Sequence, residues 1–218
     1  MADAPACREF SSAKEADEWG RKHYGEWAAA HKRTLFDNAI GFGASRFSPI
    51  ELYCGNEYVH INKVLRDGRS GWCSAGEDER HKATAKEIAS LILSAPRMPE
   101  NIVVYRGVSA ESFNELFNAY REGNVRPCQE KGFMSTSLIS DINMDHVYNV
   151  LLRIRVPKHA AGIYASLIAE RSEYEMLMLP NNYLRIIDKE QNSAAARTWE
   201  EINGYPVHDC ELLGIKKL

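Results

Sequence analysis

The sequence has 218 residues, 44% of them hydrophobic and 26% charged, with a formal net charge of -3, which suits one well-buried domain with the balance of an ordinary globular protein. So small a net charge excludes bulk attraction to nucleic acid or to an anionic membrane surface. No apolar run approaches the roughly 20 residues that a membrane helix needs, and the opening M-A-D-A-P-A lacks a basic stretch followed by an apolar core, so no export signal is expected in the chain as written.

From Ser11 to about Lys32, the residues Ala13, Ala16, Trp19, Tyr24, Trp27 and Ala28 recur at roughly helical intervals among charged neighbours. This predicts an amphipathic helix, with a bend at Gly20 or Gly25. A second helix is expected from Ser48 to about Arg66, because Ser-Pro supplies an N-cap and a proline for the first turn. It carries Tyr53, Tyr58, Ile61, Asn62 and Leu65. Asp67 to Gly76 reads as a glycine-rich loop and Glu77 to Ser94 as a third helix burying Ala85, Ile88, Ala89 and Ile92, ended by Pro96 and Pro99.

The texture changes at Ile102 to Tyr105, a β-branched and aromatic run followed by another helix from about Ala110 to Arg121. Strands are expected at Gly132 to Ser137, Val150 to Val156, Ile163 to Ala165, Glu175 to Leu179, Leu184 to Asp188 and Val207 to Leu213. In the second of these, Val150, Leu152, Ile154 and Val156 fall on one face, with Arg153 and Arg155 on the other. A mainly helical part over residues 1–100 and a strand-rich part over 101–218 predict an α+β fold with a mostly antiparallel core, in a single domain of 1–218.

The five cysteines, Cys7, Cys54, Cys73, Cys128 and Cys210, are odd in number, scattered and free of any C-x-x-C pair. They argue against a disulfide framework or a zinc site. The seven histidines show no ligand spacing such as H-E-x-x-H and read as surface or satisfied core residues, so no metal is expected.

The stretch E-R-S-E-Y-E-M-L-M-L, Glu170 to Leu179, sets two carboxylates two residues apart before an apolar run. In an extended strand Glu173 and Glu175 share a face while Tyr174 turns to the other. By itself the pattern also fits a solvated strand edge. Two other pieces accompany it: V-V-Y-R-G, with an arginine near the end of a strand, and G-F-M-S-T-S-L. In this order and context the three resemble the R-S-E class of mono-ADP-ribosyltransferases. Upstream, A-D-E-W-G-R-K-H-Y-G-E-W and Y-C-G-N-E-Y-V-H-I-N-K-V-L-R are similar to the helical lead-in of the catalytic domain of clostridial binary actin-modifying toxins and their insecticidal relatives.

The resemblance implies an ADP-ribosyltransferase fold of two roughly perpendicular β-sheets flanked by helices, with NAD⁺ as co-substrate in the cleft between them. It implies cleavage of the nicotinamide–ribose bond and transfer of ADP-ribose to a protein side chain. In the family E-x-E accompanies an arginine acceptor and Q-x-E asparagine, glutamine or nucleic acid, so Glu173 implies arginine, with actin the first candidate target. Glu175 would bond the ribose 2′-hydroxyl and strengthen that contact as positive charge develops on the sugar. Ser135 would hold Glu175, Thr136 would shape the nicotinamide pocket and Ser137 would support the strand. Arg106 would face the phosphates with its planar, permanently charged guanidinium, and Gly107 would let the backbone approach the nicotinamide carboxamide. Glu173 would orient the acceptor guanidinium and take its proton.

Tyr58 and Asn62, four residues apart, share a helix face, and Tyr53 lies about a turn earlier. The resemblance puts such tyrosines beside NAD⁺; core packing is the other reading. Arg66 would touch a phosphate or cap its helix, where a cation suits the dipole. The chain departs from the binary-toxin pattern where Gly107 follows Arg106 in place of a second arginine. It departs again after S-T-S, where L-I-S-D-I-N-M-D-H-V-Y-N lacks a phenylalanine and arginine, leaving Val147, Tyr148 or Asn149 to serve in the loop that closes over NAD⁺. The loop from Leu167 to Ser172 would help choose the target.

The reading is therefore of a monomeric toxin or effector, secreted or injected by a bacterium and acting in the host cytosol, with a host protein as acceptor and a separate translocation component as a further partner. An NAD⁺ glycohydrolase without a specific acceptor and a non-catalytic docking module are the competing readings. Glu173 argues against the first, and the combination of Arg106, Ser135 and Glu175 against the second.

Overall fold

The computed structural model describes residues 6–32, 34–37, 44–71, 73–117, 127–142, 148–187 and 206–215. Helix α1, Ala13–His31, begins where the Ser12 side chain accepts the Glu15 N–H, and it buries Ala16, Trp19, Gly20, Tyr24, Trp27 and Ala28 along one stripe. It runs unbroken through both glycines that suggested a bend. Gly20 instead meets another element: a Cβ there would fall 2.1 Å from the Tyr164 ring. Strands β1 (Thr34–Asp37) and β2 (Ala44–Phe47) then form an antiparallel pair that periodicity did not reveal.

The helix expected over 48–66 is broken. α2, Pro49–Leu52, has a full capping box between Ser48 and Glu51. A wide turn, Tyr53–Glu57, follows, in which Gly55 leaves the helical region at φ -76° and ψ -123°, and α3 then runs over Tyr58–Asp67. Gly68, at φ +82°, ends α3 in the left-handed conformation that glycine adopts without a Cβ penalty. α4, Ala75–Ser94, starts two residues before the expected point, because Ser74 and Glu77 form a second capping box. Of its expected core residues, Ala85, Ile88 and Ile92 are buried and Ala89 half-buried.

The remaining elements are β3 (Ile102–Val108), α5 (Ala110–Phe117), β4 (Cys128–Glu130), β5 (Met134–Ser137), β6 (Val150–Val156), β7 (Gly162–Tyr164), α6 (Ser166–Ala169), β8 (Glu175–Met178), β9 (Asn182–Ile186) and β10 (Val207–Gly214). Their ladder has the order β4-β9-β10-β6-β3-β5-β8-β7, antiparallel throughout except for β10 beside β6. The fold is α+β, with helices leading and a mixed sheet following. The ladder falls into a five-strand bank and a three-strand bank that meet at a single position, Tyr105 opposite Ser137.

Two apolar clusters support the sheet, and the first spans both banks, since Met134, Tyr164, Met176 and Met178 of β5, β7 and β8 belong to it. Val150, Leu152, Ile154 and Val156 share one cluster, as their alternation predicts, with Trp19 and Tyr24 of α1 and Ile102 and Val104 of β3. A second cluster packs Ile50, Tyr53, Ile61, Ile88 and Ile92 of the helical part against Phe133, Ile163 and Leu177 around the three-strand bank. Each such side chain contributes about 1.5–3 kcal/mol on burial. On the opposite face of β6 Arg153 is buried rather than solvated: its Nη2 meets Glu9 Oε2 at 2.6 Å and its Nη1 meets Asp209 Oδ1 at 3.1 Å. The Tyr105 hydroxyl donates to the same Glu9. This ties the N-terminal segment to the sheet.

Candidate functional site

A cleft of about 660 Å³ opens where the two banks meet, within the size range of small-molecule sites. Ten of the eleven site residues expected from sequence line it: Tyr53, Tyr58, Asn62, Arg106, Gly107, Ser135, Thr136, Ser137, Glu173 and Glu175. Arg66 does not.

Glu175 is the first residue of β8 and only 4% exposed. The β5–β8 register sets Ser137 directly opposite it and Ser135 opposite Leu177, so all three side chains emerge on one face. Ser135 and Cys54 hydrogen-bond the Glu175 carboxylate, and the Ser166 hydroxyl accepts its N–H at 2.8 Å. Burial raises the Glu175 pKa above the ordinary carboxylate range, and the nearby Glu173 charge adds to that, while the Ser135 and Cys54 hydrogen bonds and Arg171 oppose it. Thr136, on the other face, donates to Met176 O at 2.8 Å; Ser137 donates to Glu173 O at 3.2 Å and accepts the Ile139 N–H at 3.2 Å. Of the three, Ser135 is thus bonded to Glu175, while Thr136 and Ser137 secure backbone.

Glu173 is not on the strand, contrary to the expectation of an extended E-x-E. It lies in the turn before β8, and Tyr174 reverses the chain with φ +52°. The two carboxylates still reach one cleft, but in different surroundings. The Glu173 side chain is 58% exposed at the rim and lies 3.6 Å from Arg171 Nη1. A buried acid beneath an exposed one can stabilise a cation at depth while a second group handles protons at the mouth.

Across the cleft, the break at Gly55 turns Tyr53 inward, where it is 1% exposed and its ring packs edge-on to Phe133 at 5.4 Å. Tyr58 remains 40% exposed at the mouth. Asn62 donates to the Tyr53 hydroxyl at 2.9 Å and to Phe133 O at 3.3 Å, and accepts the Phe133 N–H at 2.8 Å. With these bonds it fixes the residue that leads into β5. Burial pushes the Tyr53 hydroxyl far above its usual pKa, which keeps it a neutral donor.

Arg106, the fifth residue of β3, has a side chain 17% exposed and lies 3.5 Å from Glu130 Oε2. Arg66 points to the same acid, through Nε to Oε1 and Nη2 to Oε2, both at 2.9 Å. Arg66, read from the sequence as a phosphate ligand or helix cap, lies outside the cleft lining and is paired with a buried carboxylate. Burial alone would raise the Glu130 pKa, but Arg106, Arg66 and the Gly132 N–H outweigh it and hold it below the ordinary range. Gly132 is required here, since a Cβ would fall 2.9 Å from Asn62 Oδ1.

Three residues of this site were missed in the sequence: Glu130, Cys54 and Ser166. Glu130 and Ser166 sit in no patterned motif, and Cys54, though inside the Y-C-G-N-E-Y stretch, was assigned no role there; Glu130 and Cys54 meet partners from distant segments, and Ser166 meets one nine residues on. Of the candidates for the closing loop, Tyr148 lines the cleft, Asn149 accepts the Ala110 N–H at 2.8 Å instead, and Val147 lies outside the described residues.

Residues 16–200 match the family profile described as ADP-ribosyltransferase exoenzyme. No curated protein matches the chain in sequence. Among solved structures, the fold is similar to that of BECa, an ADP-ribosylating toxin of a C. perfringens binary enterotoxin determined with NADH, at 22% identity and a TM-score of 0.69 over 95% of this chain and 50% of that one. It is similar to the Clostridium limosum C3 exoenzyme at 18% identity and a TM-score of 0.65, over 95% and 98% of the two chains. It is also similar to C3stau2 from S. aureus, determined with NAD, at 16% identity and a TM-score of 0.64 over 96% and 100%. The chain thus spans half the length of the binary-toxin component and nearly all of each C3 enzyme.

Proposed function

The chain belongs to the ADP-ribosyltransferase exoenzyme family, and from that premise we propose that it is a bacterial toxin enzyme that cleaves NAD⁺ and transfers ADP-ribose to an arginine of a host protein, with actin the first candidate. The observation that carries this reading is the pair of unequal carboxylates, Glu175 buried at 4% exposure and Glu173 58% exposed at the rim of the same cleft.

The donor set fits NAD⁺. Arg106 offers paired N–H donors to the phosphates, Tyr58 an aromatic face at the mouth, and Glu175 an anion where the ribose would lie. NAD⁺ supplies an electrophilic ribose carbon and a nicotinamide leaving group. Glu175 accepts a hydrogen bond from the 2′-hydroxyl, and its attraction grows as positive charge develops on the sugar. Ser135 and Cys54 hold the carboxylate in place. Glu173, at the mouth, orients the incoming guanidinium and takes one of its protons as the nitrogen attacks. The acceptor needs that help, because its pKa is above about 12.

Glu173 counts against the reading as an acceptor-free NAD⁺ glycohydrolase, since hydrolysis needs no second carboxylate at the rim. A docking module would need no buried acid under hydrogen-bond support. The proposed setting is a single catalytic domain acting as a monomer in the host cytosol, delivered with a separate translocation component or by injection; the absence of disulfides among the five free cysteines fits a reducing compartment.

Labelled NAD⁺, purified actin and host-cell lysate test the proposal, with Glu175→Ala as control and mass spectrometry to locate the label. Label on an actin arginine that vanishes in the variant is the expected result. Label on another protein discards actin, nicotinamide release without transfer favours hydrolysis, and no turnover favours the docking module.

A further inference from the structure

Away from the cleft, the loop between α3 and α4 gathers side chains of metal-ligating chemistry. Cys73 Sγ, a carboxylate oxygen of Asp78 and a ring nitrogen of His81 all lie within 4.8 Å of one another. His60 joins them from α3, with Nδ1 3.6 Å from Cys73 Sγ and its ring stacked on that of His81 at 5.4 Å. Local hydrogen bonds make the cluster. The Ser74 cap leaves Cys73 just ahead of α4, and Asp78 and His81 stand three residues apart on it, sharing a face. The Ser70 N–H donates to Asp78 Oδ1 at 3.0 Å and the Cys73 N–H donates to Ser70 Oγ at 3.0 Å, folding the loop back over the helix.

One buried, unpartnered nitrogen points to a ligand, and one hydrogen-bond distance is compatible with it. His81 is 2% exposed; its Nε2 is 2.8 Å from Glu57 Oε2, yet its buried Nδ1 has no hydrogen-bond partner. A carboxylate that accepts the Nε2–H fixes the tautomer in which Nδ1 carries a lone pair, the arrangement by which a second carboxylate prepares a histidine for a metal. Zinc bound at about 2.3 Å from sulfur and about 2.1 Å from nitrogen in a tetrahedron holds those two atoms about 3.6 Å apart, as Cys73 and His60 already are.

We propose that His60, Cys73, Asp78 and His81 bind one zinc ion that pins α3 to α4. Binding displaces the Cys73 thiol proton to solvent, and Asp78 keeps one oxygen on the Ser70 N–H while the other meets the metal. Four protein ligands leave no open position, so the ion is structural. Its effect on the cleft is indirect: α3 carries Tyr58 and Asn62, and Asn62 anchors the entry to β5. The ligands do not follow a regular spacing, because His60 comes from the preceding helix and the cluster forms only when the loop closes.

The test is metal binding by the purified, chelator-treated chain. Zinc is titrated against a fluorescent chelator, and cobalt is titrated by absorption. Expected are about one equivalent of zinc with a Kd tighter than about 0.1 μM, and with cobalt a near-ultraviolet thiolate charge-transfer band plus visible bands of tetrahedral intensity. Cys73→Ser removes the charge-transfer band. Asp78→Asn keeps that band with weaker binding, and Glu57→Gln weakens binding about 10–100-fold. Far-ultraviolet circular dichroism confirms that each variant is folded; if Cys73→Ser is not, Asp78→Asn and Glu57→Gln decide. No zinc bound at micromolar concentrations overturns the site, as does a charge-transfer band that survives Cys73→Ser, which would move the metal to another cysteine.

Discussion

Arg66 grips Glu130 through two parallel hydrogen bonds, Nε to Oε1 and Nη2 to Oε2, both 2.9 Å long. The acid is almost wholly buried and also faces Arg106 at 3.5 Å. Replacing Arg66 with Met leaves Glu130 short of its hydrogen-bonded counterion and is expected to cost about 1.5–3 kcal/mol, read as a lower urea midpoint with an unchanged slope. The folded-state pKa of Glu130 is depressed, so its contribution is present above the unfolded value of about 4.3 and is lost as pH falls through the folded one. Glu130→Gln flattens the acid limb of the stability profile; an unchanged acid limb would remove Glu130 from this role.

Glu175 has the opposite sign. Burial raises its folded-state pKa, so its contribution is largest below the unfolded pKa and is lost as pH rises through the folded one. Glu175→Gln is therefore expected to raise Tm at pH 7 by about 2–4 °C, the shift that ~1 kcal/mol produces in a domain of this size. It also lowers turnover by at least about 100-fold. A lower Tm at pH 7 would contradict this account.

The exposed partner should fail differently. Glu173→Gln is expected to reduce transfer to arginine by about 100-fold or more and to retain NAD⁺ hydrolysis, whereas Glu175→Gln loses both. Nicotinamide release and acceptor labelling, followed in one assay, separate the two, and equal loss of both activities in Glu173→Gln would refute the division of labour.

Cys54 positions Glu175 through the hydrogen bond its thiol makes to that carboxylate. Cys54→Ala removes a donor that favours the ionised acid. The acid limb of the kcat/KM profile should move to higher pH, with Cys54→Ser restoring it. A purely structural role would lower activity evenly across pH.

Gly132→Ala drives a methyl group to 2.9 Å from Asn62 Oδ1 and 3.2 Å from Arg66 Nη2. The expected cost is about 1–3 kcal/mol, measured by thermal unfolding. Because Asn62 holds Phe133 ahead of β5, KM for NAD⁺ should rise as well.

What could be read from the chain was what lies within contiguous stretches. The alternation in Val150 to Val156 marks a strand because burial repeats every second residue, and S-T-S and E-x-E keep their chemistry within a few positions of one another. The π-like turn at Tyr53–Glu57 could not be read, since Gly55 fits a helix or a break equally well until Tyr53 has a pocket to enter. Nor could the turn that takes Glu173 off the strand, which depends on a left-handed Tyr174. Glu130 and Ser166 carry no local pattern, and Cys54 stands in the Y-C-G-N-E-Y stretch with nothing there to mark its partner. Their roles follow from tertiary neighbours: two arginines from α3 and β3 for the first, and the head of β8 for the other two.

The two banks of the sheet share one rung, Tyr105 opposite Ser137. That rung adjoins Arg106 on one side, and Ser137 itself faces Glu175 across the next ladder. With a single rung between the banks, the spacing of Arg106 on β3 and Glu175 on β8 is set by that one pairing together with the apolar cluster that reaches across both banks.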